Sequence, residues 1–177
     1  DDALASAAMQ FAPTLDQIRI LTPDKYLAQV VRGDWIIQVD RARGRVYNQA
    51  AVVEKFGVLP SSIPDYLALV GDTADGIPGI AGFGAKSTAT ILARYHHIDD
   101  IPTDSDDWDI SVRGARRLAD RLADEFNDAL LYRDLATLRG DVPVGTPDDT
   151  AYSAAATKEF AHLCAQLGAS RLLARLP

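Results

Sequence analysis

Cysteine is almost missing from this sequence: Cys164 is the only one in 177 residues. A lone cysteine cannot close an intramolecular bridge, which excludes a disulfide scaffold and fits a reducing, cytoplasmic setting. Long apolar runs are missing too, and the chain opens on Asp1-Asp2 instead of a basic segment followed by an apolar one. Membrane insertion and secretion are therefore not expected. There is no initiator methionine, which points to a processed, truncated or partial chain.

Positive charge is scarce as well. Eighteen Lys and Arg face 25 Asp and Glu, a formal net charge of -7. Non-specific affinity for duplex DNA comes from neutralising phosphates, so this balance argues against a generic DNA-coating protein. Any contact with DNA must be local. Acidic residues that hold metal ions would offset part of the excess, so a nuclease is not excluded. The 47% hydrophobic content suffices for one domain of ordinary size or two small lobes sharing a core.

The Ala- and Leu-rich segment from Asp1 to Phe11, acidic in its first turn and followed by Pro13, predicts a helix. Ile18 to Leu21 predicts a buried strand, and Leu27 to Val31 a short helix ended by Gly33. Trp35 to Val39 and Arg45 to Tyr47 flank Arg41-Ala42-Arg43-Gly44, a hairpin pattern. Helices follow around Ala51 to Phe56, Pro64 to Val70 and Lys86 to Tyr95. Asp99 to Asp109 reads as a loop and Asp141 to Asp149 as a linker. Leu118, Leu122, Phe126, Ala129 and Leu130 predict one amphipathic helix, and a last helix is expected from about Ala154 to Leu176.

Three acidic groupings are candidates for a hard cation: Asp1-Asp2, Asp24, and Asp72 with Asp75. Magnesium prefers oxygen ligands and is usually held by one or two carboxylates plus water. Asp72 and Asp75 share a face if their segment begins helically. Asp24 follows a strand, where open α/β sheets place ligands, and the first helix can bring Asp1 or Asp2 to the same edge. Taken alone, each grouping is weak, because aspartates in turns and first helical turns are more often caps and solvated charges.

The stretch Gly79-Ile80-Ala81-Gly82-Phe83-Gly84-Ala85-Lys86-Ser87 is the most informative. A Walker A loop needs Gly-Lys-Ser/Thr in succession, and Ala85 intervenes. A helix-hairpin-helix fits better. Its glycines permit positive φ and close approach, and the amides at the following helix N-terminus, with Lys86 and Ser87, receive a DNA phosphate. Such contacts position a backbone without reading bases. A tight turn between packed helices is the alternative.

These residues resemble a known family, the bacterial 5'-3' exonucleases or flap endonucleases related to the nuclease domain of DNA polymerase I. Asp1-Asp2-Ala3-Leu4-Ala5 resembles the end of its Glu-Ala-Asp-Asp-x-Leu-Ala motif, and Thr22-Pro23-Asp24-Lys25-Tyr26-Leu27 its Thr-x-Asp-Lys-Asp-Leu motif. Gly71 to Ser87 resembles Gly-Asp-x-Ser-Asp-Asn-x-Pro-Gly-x-x-Gly-x-Gly-x-Lys-Thr-Ala.

The resemblance implies an α/β fold: a partial PIN or resolvase-like parallel-sheet core over 1–48, a helical helix-three-turn-helix DNA-binding region over 49–145, and a C-terminal segment over 146–177 packing on the core. It implies a monomer acting on DNA flaps, nicks or duplex ends in replication and repair, with Mg2+ or Mn2+ in a two-metal site. Asp1, Asp2 and Asp24 would serve one ion, Asp72 and Asp75 the other, and a potassium ion would sit near Gly79, Gly82 and Gly84. Tyr26 departs from this pattern, standing where the family carries an aspartate, and Gly76 replaces an Asn. The family's first strand, further acids and helical arch would precede Asp1. A non-catalytic relative that binds branched or nicked DNA is the alternative.

Among lesser features, His96-His97 predicts a helix end, because helix neighbours point about 100° apart. Arg113, Arg116, Arg117 and Arg121 read as phosphate contacts or as a solvated face paired with Asp120 and Asp124. Trp35 and Trp108 read as packing residues.

Overall fold

The computed structural model describes residues 1–152 and 158–175. It separates into a larger unit, Asp1–Val144, and a small one, Gly145–Pro177.

In the larger unit, the Ala-rich opening forms α1 (Asp2–Phe11), burying Ala5, Ser6 and Ala8, and Pro13 sits in the 3₁₀ turn that follows. Buried Ser6 is satisfied from a distant segment: its hydroxyl donates to the Arg139 carbonyl at 2.9 Å and accepts from the Val142 amide at 3.1 Å. The Gln10 amide donates to the carbonyls of Gly140 and Val142 at 3.0 Å. Residues 139–142 are thereby strapped along α1.

The sheet has three strands in the order β1 (Ile18–Ile20), β2 (Ile36–Asp40), β3 (Arg45–Tyr47). β1 and β2 run parallel with Ile20 opposite Gln38, and β2–β3 is the expected antiparallel hairpin. The central strand β2 is buried along most of its length, as a strand with neighbours on both sides should be. The helix expected over Leu27–Val31 is a 3₁₀-helix, Lys25–Val30. Asp24 caps it and Val31 leaves it in extended geometry, so too few residues remain to nucleate an α-helix.

The rest of the unit is helical. α2 (Gln49–Phe56) starts on the Asn48 side chain, which accepts from the Ala51 amide, and stops at left-handed Gly57. α3 (Ile63–Val70) is buried on nearly every side, and α4 (Ala85–Tyr95) follows the glycine-rich turn. The Asp99–Asp109 loop contains short 3₁₀ turns at Ile98–Asp100 and Ser105–Asp107. In it, buried Trp108 donates its ring N–H to the Pro102 carbonyl at 2.8 Å. Trp35 is only half-covered and donates to Leu15.

The single amphipathic helix expected around Leu118–Leu130 is two, α5 (Ala115–Asp124) and α6 (Phe126–Ala136). Glu125, at φ -109° and ψ 22°, breaks the ladder. The apolar stripe continues across the break through Leu118, Leu122 and Ala129, because periodicity records the buried face and not the backbone bonds. α3 packs most extensively on α6.

In the small unit, α7 (Lys158–Gln166) carries buried, free Cys164. The continuous helix expected from Ala154 to Leu176 is not continuous. Gly168 turns left-handed at φ 64°, the Ala169 amide closes on the Cys164 carbonyl, and a 3₁₀ turn, Ser170–Arg175, follows. Residues 154–157 and 176 of that expectation lie outside the described residues. Among the described residues, no helix is long and apolar enough to cross a membrane.

Candidate metal centre and nucleic-acid hairpin

A cavity of about 430 Å³ is lined by Asp1, Asp2, Asp24, Tyr26, Asp75, Gly76, Ile77, Leu135 and Leu138. Four of the five acids singled out in the sequence therefore face one space. Asp1 and Asp2 arrive at the N-terminus of α1, and the Asp2 carboxylate accepts from the Arg139 amide at 2.9 Å. Asp24 arrives beyond β1, where its carboxylate accepts from the Tyr26 amide at 2.9 Å. Its loop is fixed from below by the buried Gln38 side chain, which donates to the carbonyls of Thr22 and Asp24.

Asp72 and Asp75 lie beyond the C-terminus of α3, in a turn and not at a helix start. The Asp72 and Ile77 backbones exchange hydrogen bonds at 2.7 and 2.9 Å, which closes the turn and brings Asp75 over Asp72. Asp72 is buried behind the cavity wall, 2.6 Å from the Lys25 ammonium.

The electrostatics of the pair are unequal. Burial pushes the Asp72 carboxyl up, but hydrogen bonds from Lys25 and Asp75 outweigh it and hold the group below the usual carboxylate range. Asp75 is raised, first by its hydrogen bond to Asp72, then by burial and the Asp72 charge. Two carboxylates this close repel each other when both are ionised, and a hard cation between them would relieve that repulsion. Tyr26 is buried, and burial reinforced by Asp72 and Asp75 pushes its pKa up to about 12.

The all-oxygen donor set fits magnesium or manganese chemistry, and two carboxylates plus water are a usual magnesium holding. Among the described residues, however, no three His, Cys, Asp or Glu side chains converge on one point. Asp72 already has a cation in Lys25, and Tyr26 brings a neutral phenol.

The glycine-rich turn is a second site. Gly71 and Gly79, both at positive φ, cross back to back, and a Cβ on Gly79 would fall 2.6 Å from the Gly71 nitrogen. Gly79 therefore makes the crossing and does not line the groove beyond it. Gly82 and Gly84 do, with Lys86, Ser87, Thr90, Ser111, Val112 and Arg113, around about 560 Å³. Gly84 caps α4, and the Ser87 hydroxyl both accepts from its amide and donates to its carbonyl. The amides of Ala85, Lys86 and Ser87 open the helix without intrahelical partners, beside two cations. This is an anion-receiving arrangement.

The arginine cluster divides. Arg113 joins this groove, Arg116 lies in a polar hollow with Asp104 and Asp120, and Arg121 pairs with Glu125 at 2.9 Å, not with Asp120 or Asp124. An i, i+4 spacing serves Glu125 as well as the acids first considered. His96 caps α4 at φ 66°, and His97 reaches Asp65 at 3.0 Å. Lys25, Gln38 and Gln29, whose side-chain oxygen accepts from the Leu138 amide at 3.0 Å, were not singled out from sequence, although all three hold the cavity. Only Lys25, between Asp24 and Tyr26, offered a local signal.

The model of the 5'-3' exonuclease family's C-terminal SAM fold matches residues 58–158. The chain belongs to the 5'-3' exonuclease family. The 5'-3' exonuclease of Aquifex aeolicus is 40% identical over 101 residues, 57% of this chain and 35% of that protein. DNA polymerase I of Pseudomonas aeruginosa is 34% identical over 160 residues, 86% of this chain and 17% of that protein. The chain thus spans a minor part of these relatives.

Among solved structures, the 5'-exonuclease of bacteriophage T5 with bound zinc superposes with a TM-score of 0.62 at 18% identity, covering 76% of this chain and 48% of that one. A flap endonuclease of the same phage, in a pseudo-enzyme–product complex with DNA and metal ions, gives 0.61 at 18% identity, with the same coverage. At that identity the likeness establishes the fold, a mixed α/β core with a small sheet and many helices.

Proposed function

We propose that this 5'-3' exonuclease family chain holds branched or nicked duplex DNA on its glycine hairpin and presents the 5' strand to the acidic cavity. The reaction would be metal-dependent hydrolysis of DNA phosphodiesters, as in exonuclease and flap cleavage during replication and repair. The observation that carries the reading is that an anion-receiving helix start, beside Lys86 and Arg113, shares one folded unit with the carboxylate cavity.

In this reading Asp72 and Asp75 hold one divalent ion and Asp1, Asp2 and Asp24 form the second locus. Magnesium or manganese, when bound, supplies an activated water and stabilises charge at the phosphoryl centre. The chain's own residues do the rest. Asp75 faces the cavity, Lys25 keeps buried Asp72 ionised, and Leu135 and Leu138 wall the cavity with apolar surface. The helix-start amides fix the phosphate backbone without reading sequence.

Tyr26 favours a second reading, a DNA-binding relative without hydrolysis, because its buried phenol replaces an acid in the cavity wall. Incubation with a 5'-labelled flap duplex in Mg2+ or Mn2+ separates the two. Cleavage is expected under the first reading; binding without cleavage leaves the second; no binding at low salt removes both. Lys86→Gln is expected to make the salt dependence of binding shallower by roughly 0.9 in log–log slope, the loss of one phosphate contact. An unchanged slope would take Lys86 out of the interface.

Metal binding has its own readout. A ligand that binds only the native state stabilises it by mass action, so saturating Mn2+ should raise the melting temperature by several degrees. Asp75→Asn should abolish that response. Because Asp75 titrates above its unfolded range, its ionised form opposes folding at neutral pH, so metal-free Asp75→Asn should melt no lower than the parent chain. An undiminished Mn2+ response in Asp75→Asn would remove this residue from the metal site.

A further inference from the structure

The net charge of -7 makes any local excess of cations conspicuous, and one lies outside both sites. Residues 41–56 carry Arg41, Arg43, Arg45 and Lys55 against Glu54 alone. Arg41 to Gly44 form the exposed turn between β2 and β3. Arg43 is held by buried Asp40 at 2.8 Å, which braces the turn, while Arg41 and Arg45 make no ion pair among the described residues. Across a groove of about 480 Å³, Lys55 on α2 faces Arg45, with Val46, Tyr47, Ala51 and Glu54 completing the lining.

We propose that Arg41, Arg45 and Lys55 form a second phosphate-contacting surface, which grips the backbone of the duplex arm leaving the glycine hairpin. The proposal rests on the DNA-binding reading above. A contact between the helices that carry the two surfaces supports it. α2 ends at Gly57, packed so closely on α4 that a Cβ there would lie 2.8 Å from the Ala89 side chain. Ala89 and Lys86 are three residues apart on α4 and share a face. Lys55, on the β3-facing side of α2, thus belongs to the element that ends against the helix whose first turn holds Lys86.

The chemistry selects a phosphate backbone over stacked bases. Lys55 lies over the Tyr47 ring at 4.4 Å and near Phe56 at 4.8 Å, so the cation covers the aromatic face an unpaired base would need. Arginines on a braced turn suit phosphate oxygens, to which a planar guanidinium can donate twice.

The test is fluorescence anisotropy of the full chain on a flap duplex at several salt concentrations. Arg41→Gln/Arg45→Gln/Lys55→Gln should bind more weakly, with a log–log salt slope shallower by roughly 2 to 3, at about 0.9 per contact. Arg41→Lys/Arg45→Lys/Lys55→Arg, which keeps the charges, should retain the parent slope. A parent slope in the triple Gln variant overturns the proposal while leaving the hairpin reading intact. Equal losses in both triple variants, with lowered melting temperatures, also overturn it, since the residues would then act through folding. If the parent chain binds no DNA at low salt, the underlying reading falls and takes the proposal with it.

Discussion

Gly79→Ala should be among the most damaging single-methyl additions available in this chain, lowering stability by about 3 kcal/mol or more. Two costs coincide. Gly79 has φ 74°, a left-handed backbone that costs an L-residue roughly 1–2 kcal/mol. The added carbon would also lie 2.6 Å from the Gly71 nitrogen and 2.7 Å from the Val70 carbonyl carbon. Both neighbours are backbone, so neither can swing aside as a side-chain tip would. Relief requires moving the end of α3, where the Gly71 amide donates to the Leu67 carbonyl at 2.8 Å and the Ile80 amide to the Leu69 carbonyl at 2.9 Å. Gly76→Ala is the control. Its φ of 75° carries the same backbone strain, but nothing lies within 4 Å of the new carbon. Thermal melts should show Gly79→Ala lower by about 6–12 °C and Gly76→Ala by only a few degrees, at roughly 2–4 °C per kcal/mol. Equal losses for both would mean that the crossing yields easily, and that φ alone explains the glycines.

The same crossing shows why the glycine-rich turn was legible in the sequence and much of the cavity was not. Glycine spacing is local information: Gly79, Gly82 and Gly84 act within one turn, and the helix they start follows at once. Strand and helix positions were legible for a similar reason, since alternation and four-residue repeats record which face is buried. Partners are a different matter. That Lys25 would meet Asp72, or that Gln38 would hold the Asp24 loop, depends on which elements pack together. No periodicity encodes that. The break at Glu125 escaped because the buried stripe of α5 and α6 runs through it unchanged, while the backbone ladder does not. Asp72 and Asp75 were found by their motif, yet the reason for their proximity, a closed turn locked by Ile77, is visible only in three dimensions.

Asp65→Ala should be the most costly loss of a polar side chain, at about 3–5 kcal/mol. Asp65 is 1% exposed in the first turn of α3, where a carboxylate also suits the helix dipole. One oxygen accepts from the Ile98 amide at 3.0 Å and lies 3.4 Å from the Arg133 guanidinium; the other meets His97 Nδ1 at 3.0 Å. Arg133 in turn binds Asp99. One carboxylate thus joins α3, the 3₁₀ turn after α4, and α6. Its removal strands the amide of fully buried Ile98 and leaves Arg133, itself largely covered, with only the exposed Asp99. An amide of the same shape keeps part of this. In Asp65→Asn the side-chain oxygen can still accept from Ile98, and the loss is confined to the charge pairs, about 1–3 kcal/mol. Urea unfolding of Asp65→Ala, Asp65→Asn, Arg133→Met and the Asp65→Ala/Arg133→Met double variant apportions the terms, because the guanidinium contribution appears as non-additivity between the two sites. A loss below about 1 kcal/mol for Asp65→Ala would mean that water replaces the carboxylate, and that the packing of α3 on α6 holds the two helices together without it.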